Sequence, residues 1–366
     1  MIALDRAAAS RTEMGDAAEV RASVVVVAYN GRAYLESCLG SLRAAGGGVE
    51  VIVIDNASLD GSADYVEDSF PWVRVVRLDR NRGYGHGCNV GARLATGEYL
   101  AFLNQDAVVE PGWLEALIAA LEANPRAGLV TPKVLLLDHP DWINTAGNDV
   151  HLTGLTLCRG AGLPASAMDD PAAVGAVSGA AFCMRRGLFN ELGGFDRSLF
   201  MYMEDTDLSL RARLAGYGCL YVPQSVVYHD YALRFGPQKV FYQERSRYAM
   251  LLKSLRWRTL LALLPALLLG EAVTWGFVLV RARRHLGNKV RAYSWVARHW
   301  SELLARRRRV QEKRRCPDRD WLARCTYRLD FEQTGGGPVA WIAHLVFDPL
   351  FWLCGRWAGV LCGGRA

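Results

Sequence analysis

Residues 22 to 56, ASVVVVAYNGRAYLESCLGSLRAAGGGVEVIVIDN, contain two continuous Val/Ile runs with an amphipathic segment between them. The runs predict strands over 22–29 and 49–56, and the segment between them predicts a helix over 33–45. Continuous apolar runs, rather than alternating ones, are typical of strands that are buried on both faces of a parallel sheet. The stretch therefore predicts a β-α-β unit at the start of the fold.

The same alternation of strands and helices continues along the chain. Helices are predicted over 62–69 and 89–96, strands over 73–78 and 99–103, and a further helix opens after Pro111. The chain has 366 residues, of which 51% are hydrophobic and 22% are charged, so it can bury a large core. The predicted fold class is α/β, with a Rossmann-like, mostly parallel sheet flanked by helices.

Polar segments follow the predicted strands. In open parallel sheets, ligands bind beyond the carboxyl ends of the strands, so these segments predict one shared binding site. The segments are AYNGR (28–32), DNASLDGS (55–62), NRGYGHGCNVGA (81–92) and NQDAVVEPGW (104–113).

Asp55 stands at the end of the second strand, where its carboxylate can accept N–H groups from a nucleobase. Ser58 and Asp60 follow it, and they either cap the next helix or contribute to the site. The glycine run at 81–92 is not the dinucleotide fingerprint, because G-x-G-x-x-G belongs after the first strand and this run follows the third. It is interpreted as a loop near the ligand that leads into a helix packed through Gly91.

Asp106 follows the apolar strand YLAFL and lies at the predicted carboxyl edge of the sheet. A divalent cation that is bound to a diphosphate needs only one or two protein carboxylates, because phosphate oxygens and water complete its coordination. Asp106 is therefore either a metal ligand or a turn residue.

Taken in order, these segments resemble the inverting family-two glycosyltransferases of GT-A fold, in particular their rhamnosyltransferase-like branch. The resemblance spans about residues 22–255 and is specific as a combination. The matching stretches are VVVVAYNGRAYLESCLGSL, VIVIDNASLDGS, NRGYGHGCNVGA, EYLAFLNQDAVVEPGWL, VSGAAFCMRR, GGFDRSLFMYMEDTDLSLRARLAGY and VVYHDYA.

The resemblance implies a nucleotide-sugar site and a divalent metal, Mg²⁺ or Mn²⁺. Asp106 corresponds to the metal-binding aspartate of the family's D-x-D motif, and His229 to a histidine that completes the metal site or touches the diphosphate. The sequence departs from the commonest pattern because Asn104 stands at the first acidic position. The residues that the resemblance assigns to the nucleotide sugar are Ala28, Tyr29, Asn30, Asp55, Asn81, Gly83, Asn104, Gln105 and Asp106.

MYMEDTDLSLR (201–211) falls where the family places its catalytic acid pair at the start of a helix. The resemblance makes Asp205 the general base, with Glu204 orienting the acceptor or supporting the base. Asp207 either caps the helix or pairs with Arg211, four residues later. The resemblance assigns two aromatic residues to the acceptor side of the cleft, Phe200 and Tyr202.

The last third of the chain has a different composition. Residues 281–330 hold 16 Lys/Arg against 5 Asp/Glu, and apolar stretches cover 259–280 and 338–363. The first stretch is long enough to span a membrane, but Pro265, Glu271 and the flanking basic residues favour an interfacial or re-entrant segment. The basic residues favour anionic lipid over nucleic acid as the partner.

The predicted domains are a mobile leader (1–20), a GT-A catalytic domain (21–255) and a basic, helical membrane-association region (256–366). The leader holds four acids and no apolar core, unlike a signal peptide. The resemblance implies transfer of a sugar, with L-rhamnose from dTDP-rhamnose favoured and UDP- or GDP-sugars left open, onto a polyprenyl-diphosphate-linked saccharide of the bacterial cell envelope. It implies work at the cytoplasmic face of the inner membrane, as a peripheral or shallowly inserted protein. A second copy of the chain is a further candidate partner.

The sequence argues against three other classes of protein. An oxidoreductase would carry its glycine fingerprint after the first strand, where AYNGRAY stands instead. A processive polysaccharide synthase would show a Q-x-x-R-W motif, to which KSLRW (253–257) has only a partial likeness. A non-catalytic sugar-nucleotide-binding scaffold is disfavoured because both Asp106 and Asp205 are present.

Overall fold

The computed structural model describes residues 20–46, 48–231, 237–281, 283–329 and 338–362, without the side chains of 237, 281 and 338–343. The predicted leader lies outside the described residues except for Val20. The strands are β1 (Ala22–Ala28), β2 (Val49–Asp55), β3 (Arg74–Arg77), β4 (Tyr99–Asn104), β5 (Ala107–Val109), β6 (Ala127–Leu136), β7 (Ile143–Thr145), β8 (Asn148–Val150), β9 (Thr156–Cys158), β10 (Ala172–Val174), β11 (Ala181–Arg185) and β12 (Gly218–His229). The α-helices are α1 (Arg32–Ala44), α2 (Ser62–Ser69), α3 (Tyr84–Leu94), α4 (Trp113–Ala123), α5 (Arg186–Leu192), α6 (Glu204–Leu214), α7 (Pro237–Ser254), α8 (Trp257–Ala262), α9 (Leu264–Arg281), α10 (Leu286–Arg298), α11 (Trp300–Glu312), α12 (Asp318–Leu322) and α13 (Pro338–Cys362).

Within the described residues, ten strands form one sheet in the order β10-β12-β6-β11-β4-β1-β2-β3, with β5 beside β12 and β7 beside β6. β1 pairs in parallel with β2 and β4, β2 pairs in parallel with β3, and β12 pairs in parallel with β6. β11 runs antiparallel between β4 and β6. Two buried apolar clusters cover the two faces of this sheet. The predicted α/β class, with a mostly parallel sheet between helices, is confirmed.

The helix after the third strand begins at Tyr84, earlier than predicted, because part of the glycine run is helical rather than a loop. The glycines let α3 lie directly on β1. A Cβ added at Gly91 would lie 2.4 Å from Val25 Cγ1, and one added at Gly87 would lie 2.8 Å from Val27 Cγ1. Close tertiary packing therefore outweighs the low helix propensity of glycine here.

The apolar segment 259–280, which is a single apolar stretch in the sequence, is divided between two helices. α8 ends at Ala262 and α9 begins at Leu264. Pro265 is the second residue of α9, where its missing N–H has no helical partner to lose.

By length and composition, one segment of the described residues, His344–Cys362, could cross a membrane, and 22% of it is buried in the protein. Leu264–Val280 is long and apolar enough to cross only when it is counted together with Arg283–Arg298, and the two helices are bent by 117° relative to one another. The core helix of a soluble protein can have the same properties, so these features alone do not establish a membrane span.

Candidate active site

The loops after β1 and β2 are hydrogen-bonded to one another at the carboxyl edge of the sheet. The Asn30 N–H donates to Ser58 Oγ (3.0 Å), and Asn30 Oδ1 accepts from the Leu59 N–H (2.8 Å). Asp60 accepts from the Arg32 N–H at the start of α1 (3.0 Å) and from the first N–H of α2 (3.1 Å). The expected capping of α2 holds for Asp60 but not for Ser58, whose hydroxyl serves the neighbouring loop.

Gln105 fixes the backbone of the first loop. Its Oε1 accepts from the Tyr29 N–H (2.9 Å), and its Nε2 donates to the Tyr29 carbonyl (3.3 Å). Ala28, just before, is fully buried in the sheet. Tyr29 remains 43% exposed, so it is available to a ligand.

Asp55 is buried at the end of β2 and is only partly hydrogen-bonded. Its Oδ2 accepts from the Ser58 N–H (3.2 Å), while its buried Oδ1 has no hydrogen-bond partner among the described residues. A buried acceptor without a partner costs about 1–3 kcal/mol. An N–H donor of a ligand would satisfy this oxygen, which is the chemistry that the sequence predicted for Asp55.

Asn81 and its neighbours join the loop after β3 to the end of β2. Asn81 Oδ1 accepts from Asn56 Nδ2 (3.0 Å) and from the Gly83 N–H (2.9 Å). Asn56 Oδ1 accepts from the Arg82 N–H (3.0 Å). Asn81 therefore positions the loop through its side chain.

Gly83 brings this loop against the segment that precedes the acid pair. Its φ of +87° and ψ of 163° belong to a region that is open essentially to glycine alone. A Cβ at this position would lie 2.1 Å from the Phe200 carbonyl oxygen, to which the Tyr84 N–H donates (2.9 Å).

Asp106 and His229 meet because β5 pairs antiparallel with β12, which sets His229 opposite Ala107. His229 Nε2 lies 3.3 Å from Asp106 Oδ1 and 3.3 Å from Asn104 Nδ2. His229 Nδ1 lies 3.1 Å from Asn144 Oδ1, which can accept the Nδ1 proton and leave the Nε2 lone pair for a metal.

The part of the chain that the structure describes holds no group of three or more His, Cys, Asp or Glu side chains arranged as a metal site. Asp106 and His229 nevertheless fit a divalent cation that shares its coordination with a diphosphate. An Asn144 acceptor behind the ring is the usual support of a metal-ligating histidine.

Asp205 is half-buried at the start of α6 and accepts four hydrogen bonds. Oδ2 accepts from the Gly179 N–H (2.9 Å) and from Asn148 Nδ2 (3.4 Å). Oδ1 accepts from the Thr206 N–H (2.7 Å) and Oγ1 (3.3 Å). Burial raises the pKa of Asp205 above the ordinary carboxyl value, and the donors from Thr206 and Gly179 oppose that rise.

Glu204 lies beside Asp205 but in a different environment. It is buried against the start of α3, where a Cβ added at Gly85 would lie 3.9 Å from Glu204 Cβ. Its Oε2 has no hydrogen-bond partner among the described residues. Burial, and then the charge of Asp205, raises the pKa of Glu204 to about 8. The pair therefore keeps one proton near neutral pH, and the hydrogen bonds to Asp205 favour the charge on that residue.

The third acid, Asp207, is fully buried and serves the fold. It pairs with Arg211 Nε (2.8 Å), as the i+4 spacing predicted. It also pairs with Lys253 Nζ (2.7 Å) on α7, and Lys253 in turn contacts Asp196. This ion cluster joins the helix of the acid pair to the helices that follow the sheet.

The segment before the acid pair is strained. Phe200, Tyr202 and Met203 have φ values of 63°, 65° and 70°. The left-handed region costs a non-glycine residue about 1–2 kcal/mol. Such strain clusters at functional sites. Phe200 stacks on Tyr242 with 5.1 Å between ring centroids, which helps to hold the segment in place.

One short segment links the acid pair to the candidate metal ligands. The Gly179 N–H donates to Asp205, and the carbonyl of the next residue, Ala180, accepts from the Asn104 N–H (2.9 Å). Residues 179–180 thus hydrogen-bond Asp205 on one side and the start of the Asn104–Asp106 segment on the other. The structure brings both groups to the same edge of the sheet.

Three asparagines of the site were not anticipated from the sequence, namely Asn56, Asn144 and Asn148. Each acts on a group that is far away in the chain, so no local motif marks them. Asn56 alone offered a signal, because it directly follows Asp55 at a strand end.

Two family models match this chain: Glycosyl transferase family 2 over residues 23–156, and Glycosyl transferase family group 2 over residues 99–306. The second match covers more than half of the chain. The chain belongs to glycosyltransferase family 2. This family 2 enzyme is a nucleotide-sugar-dependent glycosyltransferase.

The family 2 enzyme is similar to the N-acetylglucosaminyl-diphospho-decaprenol L-rhamnosyltransferase of Mycobacterium tuberculosis. The two are 31% identical over 234 residues, and the match covers 57% of this chain and 76% of the relative. It also shares its fold with the crystal structure of S. aureus TarS 1-349 in complex with UDP-GlcNAc, at a TM-score of 0.53 and 17% identity, over 93% of this chain and 89% of that one. GalNAc-T7, solved with UDP, GalNAc and Mn²⁺, has a TM-score of 0.53 and 22% identity, over 64% of this chain and 48% of that one. The predicted GT-A fold and the rhamnosyltransferase-like family are confirmed.

Proposed function

We propose that this family 2 enzyme is an inverting glycosyltransferase. It moves a sugar, L-rhamnose from dTDP-rhamnose, to a saccharide on a polyprenyl diphosphate in the synthesis of a cell-envelope polysaccharide. The mycobacterial relative, which is named for rhamnosyl transfer to N-acetylglucosaminyl-diphospho-decaprenol, supports both the sugar and the acceptor class. The observation that carries the proposal is the pair of hydrogen bonds by which residues 179–180 hold Asp205 beside the Asn104–Asp106 segment.

Asp205 acts as the general base. Direct displacement at the anomeric carbon requires a carboxylate that takes the proton of the acceptor hydroxyl. Asp205 is half-buried, accepts four hydrogen bonds and has a raised pKa, so it combines a fixed position with a basicity above that of an ordinary aspartate. One displacement inverts the configuration, and no covalent enzyme intermediate is formed.

Glu204 keeps a proton and leaves the negative charge of the pair on the base, Asp205. A second charge this close to Asp205 would be unfavourable at neutral pH. The raised pKa of Glu204, about 8, removes that charge and leaves one carboxylate at the acceptor side. Phe200 and Tyr202, which precede the pair on the strained segment, border the acceptor sugar.

The donor lies across the loops at the ends of β1, β2 and β3. Asp55 Oδ1 accepts an N–H of the base, and the loops at Ala28–Asn30 and Asn81–Gly83 border the nucleoside. Asp106 and His229 hold a divalent metal, Mg²⁺ or Mn²⁺. When bound, the metal offsets the charge of the diphosphate leaving group.

The acceptor class requires work at a membrane. We place the GT-A catalytic domain at residues 21–255, and the membrane-association region at residues 256–366. The basic and apolar composition of residues 256–366 supports action at the cytoplasmic face of the inner membrane.

The test is transfer by the purified protein with Mn²⁺ and N-acetylglucosaminyl-diphospho-decaprenol, comparing dTDP-rhamnose with UDP- and GDP-sugars. Rhamnosyl transfer is expected, and NMR of the product should show the anomeric configuration opposite to that of the donor. Transfer from a UDP- or GDP-sugar alone would overturn the choice of rhamnose, and a retained configuration would overturn the mechanism. A protein that binds nucleotide but transfers no sugar would favour a non-catalytic scaffold.

A further inference from the structure

Two neighbouring parts of the C-terminal region expose apolar side chains. Within the described residues, these side chains lie on α8 and α9 on one side and on α13 on the other. A contiguous exposed apolar surface on a soluble protein usually marks an interaction site. We call this surface the apolar face, and its members are Leu261, Leu264, Leu268, Leu353, Trp357 and Val360.

The two parts of the apolar face lie side by side because α13 runs antiparallel to α8 and α9. At one end, Cys362 Sγ lies 3.4 Å from Thr259 Oγ1. Eleven residues away along each of the two helical segments, Phe351 of α13 and Gly270 of α9 both pack on the turn between β8 and β9. The exposed residues of α13 therefore fall at the same level as those of α8 and α9.

α9 is also bound to the protein by charged side chains. Glu271, on α9, pairs with Arg247 Nη2 of α7 (2.6 Å) and with Lys289 Nζ of α10 (3.3 Å). The hydroxyls of Tyr248 and Tyr293 also donate to Glu271. A helix that crossed a bilayer here would have to leave these partners and carry a bare carboxylate into hydrocarbon.

The first half of α13 makes an ion pair with a residue outside the helix. Asp348 pairs with Arg328 Nε (3.3 Å) and lies 3.0 Å from His344 Nδ1. Phe351 and Ala358 are fully buried against the protein, so one side of α13 is occupied and the other side carries the apolar face.

We propose that the apolar face rests on a bilayer that contains anionic lipid, with α8, α9 and α13 lying in the plane of the interface rather than crossing it. Exposed arginines follow or interrupt the apolar residues, as Arg258 does on α8, Arg283 just after α9 and Arg356 on α13. Guanidinium groups at these positions meet anionic headgroups while the Leu, Val and Trp side chains enter the acyl boundary. The inference rests on the membrane location given under the proposed function, and it adds the surface and the mode of attachment.

The first test is sedimentation of the full-length protein with vesicles of phosphatidylcholine and phosphatidylglycerol. Leu268→Glu and Leu353→Glu, made separately, should each weaken the partition coefficient at least tenfold, and omitting phosphatidylglycerol should weaken it several-fold. Leu163→Glu is the matched control, because Leu163 is an exposed leucine outside the apolar face, and it should bind as the wild type does. Binding of both face variants at the wild-type level would overturn the proposal. The proposal would also be overturned if the wild type were a dimer, if both variants lost that dimer, and if their vesicle binding were unchanged. The apolar face would then be covered by a second copy of the chain.

The second test separates lying in the interface from crossing it. Arg258→Cys and Arg283→Cys mark the two ends of the α8–α9 segment, and a membrane-impermeant maleimide is added outside preformed vesicles that carry the protein. Both positions should be labelled above the wild-type background without permeabilisation. Labelling of one position only after permeabilisation would show a span and overturn the proposal. Neither test uses donor or acceptor, so a failure here is distinguishable from a failure of the proposed reaction.

Discussion

Gly83→Ala tests whether the contact between the loop after β3 and the segment before the acid pair sets the geometry of the active site. Gly83 combines a glycine-only conformation with a position 2.1 Å, for an added Cβ, from the Phe200 carbonyl oxygen. The matched control is Gly112→Ala. Gly112 also has a positive φ, of +80°, but an added Cβ there meets nothing within 4 Å.

The expected destabilisation has a shared part and a part specific to Gly83. An alanine at Gly112, in the left-handed region, costs about 1–2 kcal/mol, and an alanine at Gly83, in the region open to glycine, costs at least as much, about 1–3 kcal/mol. At Gly83 the forced separation from Phe200 adds about 1–3 kcal/mol of overpacking. It also weakens the Tyr84–Phe200 hydrogen bond, worth about 1 kcal/mol. The free energy of unfolding should therefore fall by about 2–4 kcal/mol more in Gly83→Ala than in Gly112→Ala.

The effect on activity should be larger than the effect on stability. A shift of about 1 Å in a catalytic segment costs on the order of 10²-fold in rate. Urea unfolding and sugar-transfer kinetics at a temperature where both variants are folded are the assays. Gly83→Ala should lose about 10²-fold in kcat/KM, while Gly112→Ala stays close to the wild type. Equal behaviour of the two variants in both assays would refute the reasoning.

Three further predictions concern single side chains. Asn144→Ala should raise the Mn²⁺ concentration for half-maximal transfer about 10–100-fold, because it removes the acceptor behind His229; an unchanged metal titration would contradict the assigned metal site. Glu204 has a pKa of about 8 in the folded protein, above that of an unfolded carboxyl group, so the wild type should lose stability as the pH rises through the interval between the two values. Glu204→Gln should flatten that decline in melting temperature, and identical pH profiles would contradict it. Lys253→Met should destabilise the fold by about 3–5 kcal/mol because it leaves two buried aspartates short of a partner. Lys313→Met is the control, because Lys313 is an exposed lysine, and it should change the unfolding free energy by less than about 0.5 kcal/mol. Equal losses of stability in the two variants would contradict the role of the ion cluster.

The sequence predicts the first half of the fold well because its strands are continuous Val/Ile runs that only a doubly covered sheet can bury. The predicted helix over 62–69 matches α2 in the structure. The predicted start of α3 was wrong because the glycines there are required by close packing of the helix on β1. That packing is a tertiary contact, which local sequence does not reveal. The break at Leu263 was missed because hydropathy alone does not show where one apolar helix ends and the next begins.

The position of a candidate site residue was predictable where that residue follows a strand or opens a helix, as with Asp55, Asp106 and Asp205. It was not predictable where a distant side chain positions such a residue, as Asn148 does through its hydrogen bond to Asp205. Nor does the sequence indicate that Glu204 and Asp205, adjacent in the chain, differ so much in environment. That difference arises because Glu204 packs against α3 while Asp205 accepts donors from residues 148, 179 and 206.

The most direct test of the account is the rate of sugar transfer by Asp205→Asn. The asparagine keeps the size of the side chain but cannot take a proton, so kcat should fall by about 10²–10⁴-fold, while calorimetry should show donor-nucleotide binding close to the wild-type value. Asp68→Asn is the matched control, since Asp68 is an exposed aspartate on α2, and it should transfer at the wild-type rate. If Asp205→Asn, folded and nucleotide-bound, transfers sugar within a few-fold of the wild-type rate, then Asp205 is not the base and the proposed mechanism fails.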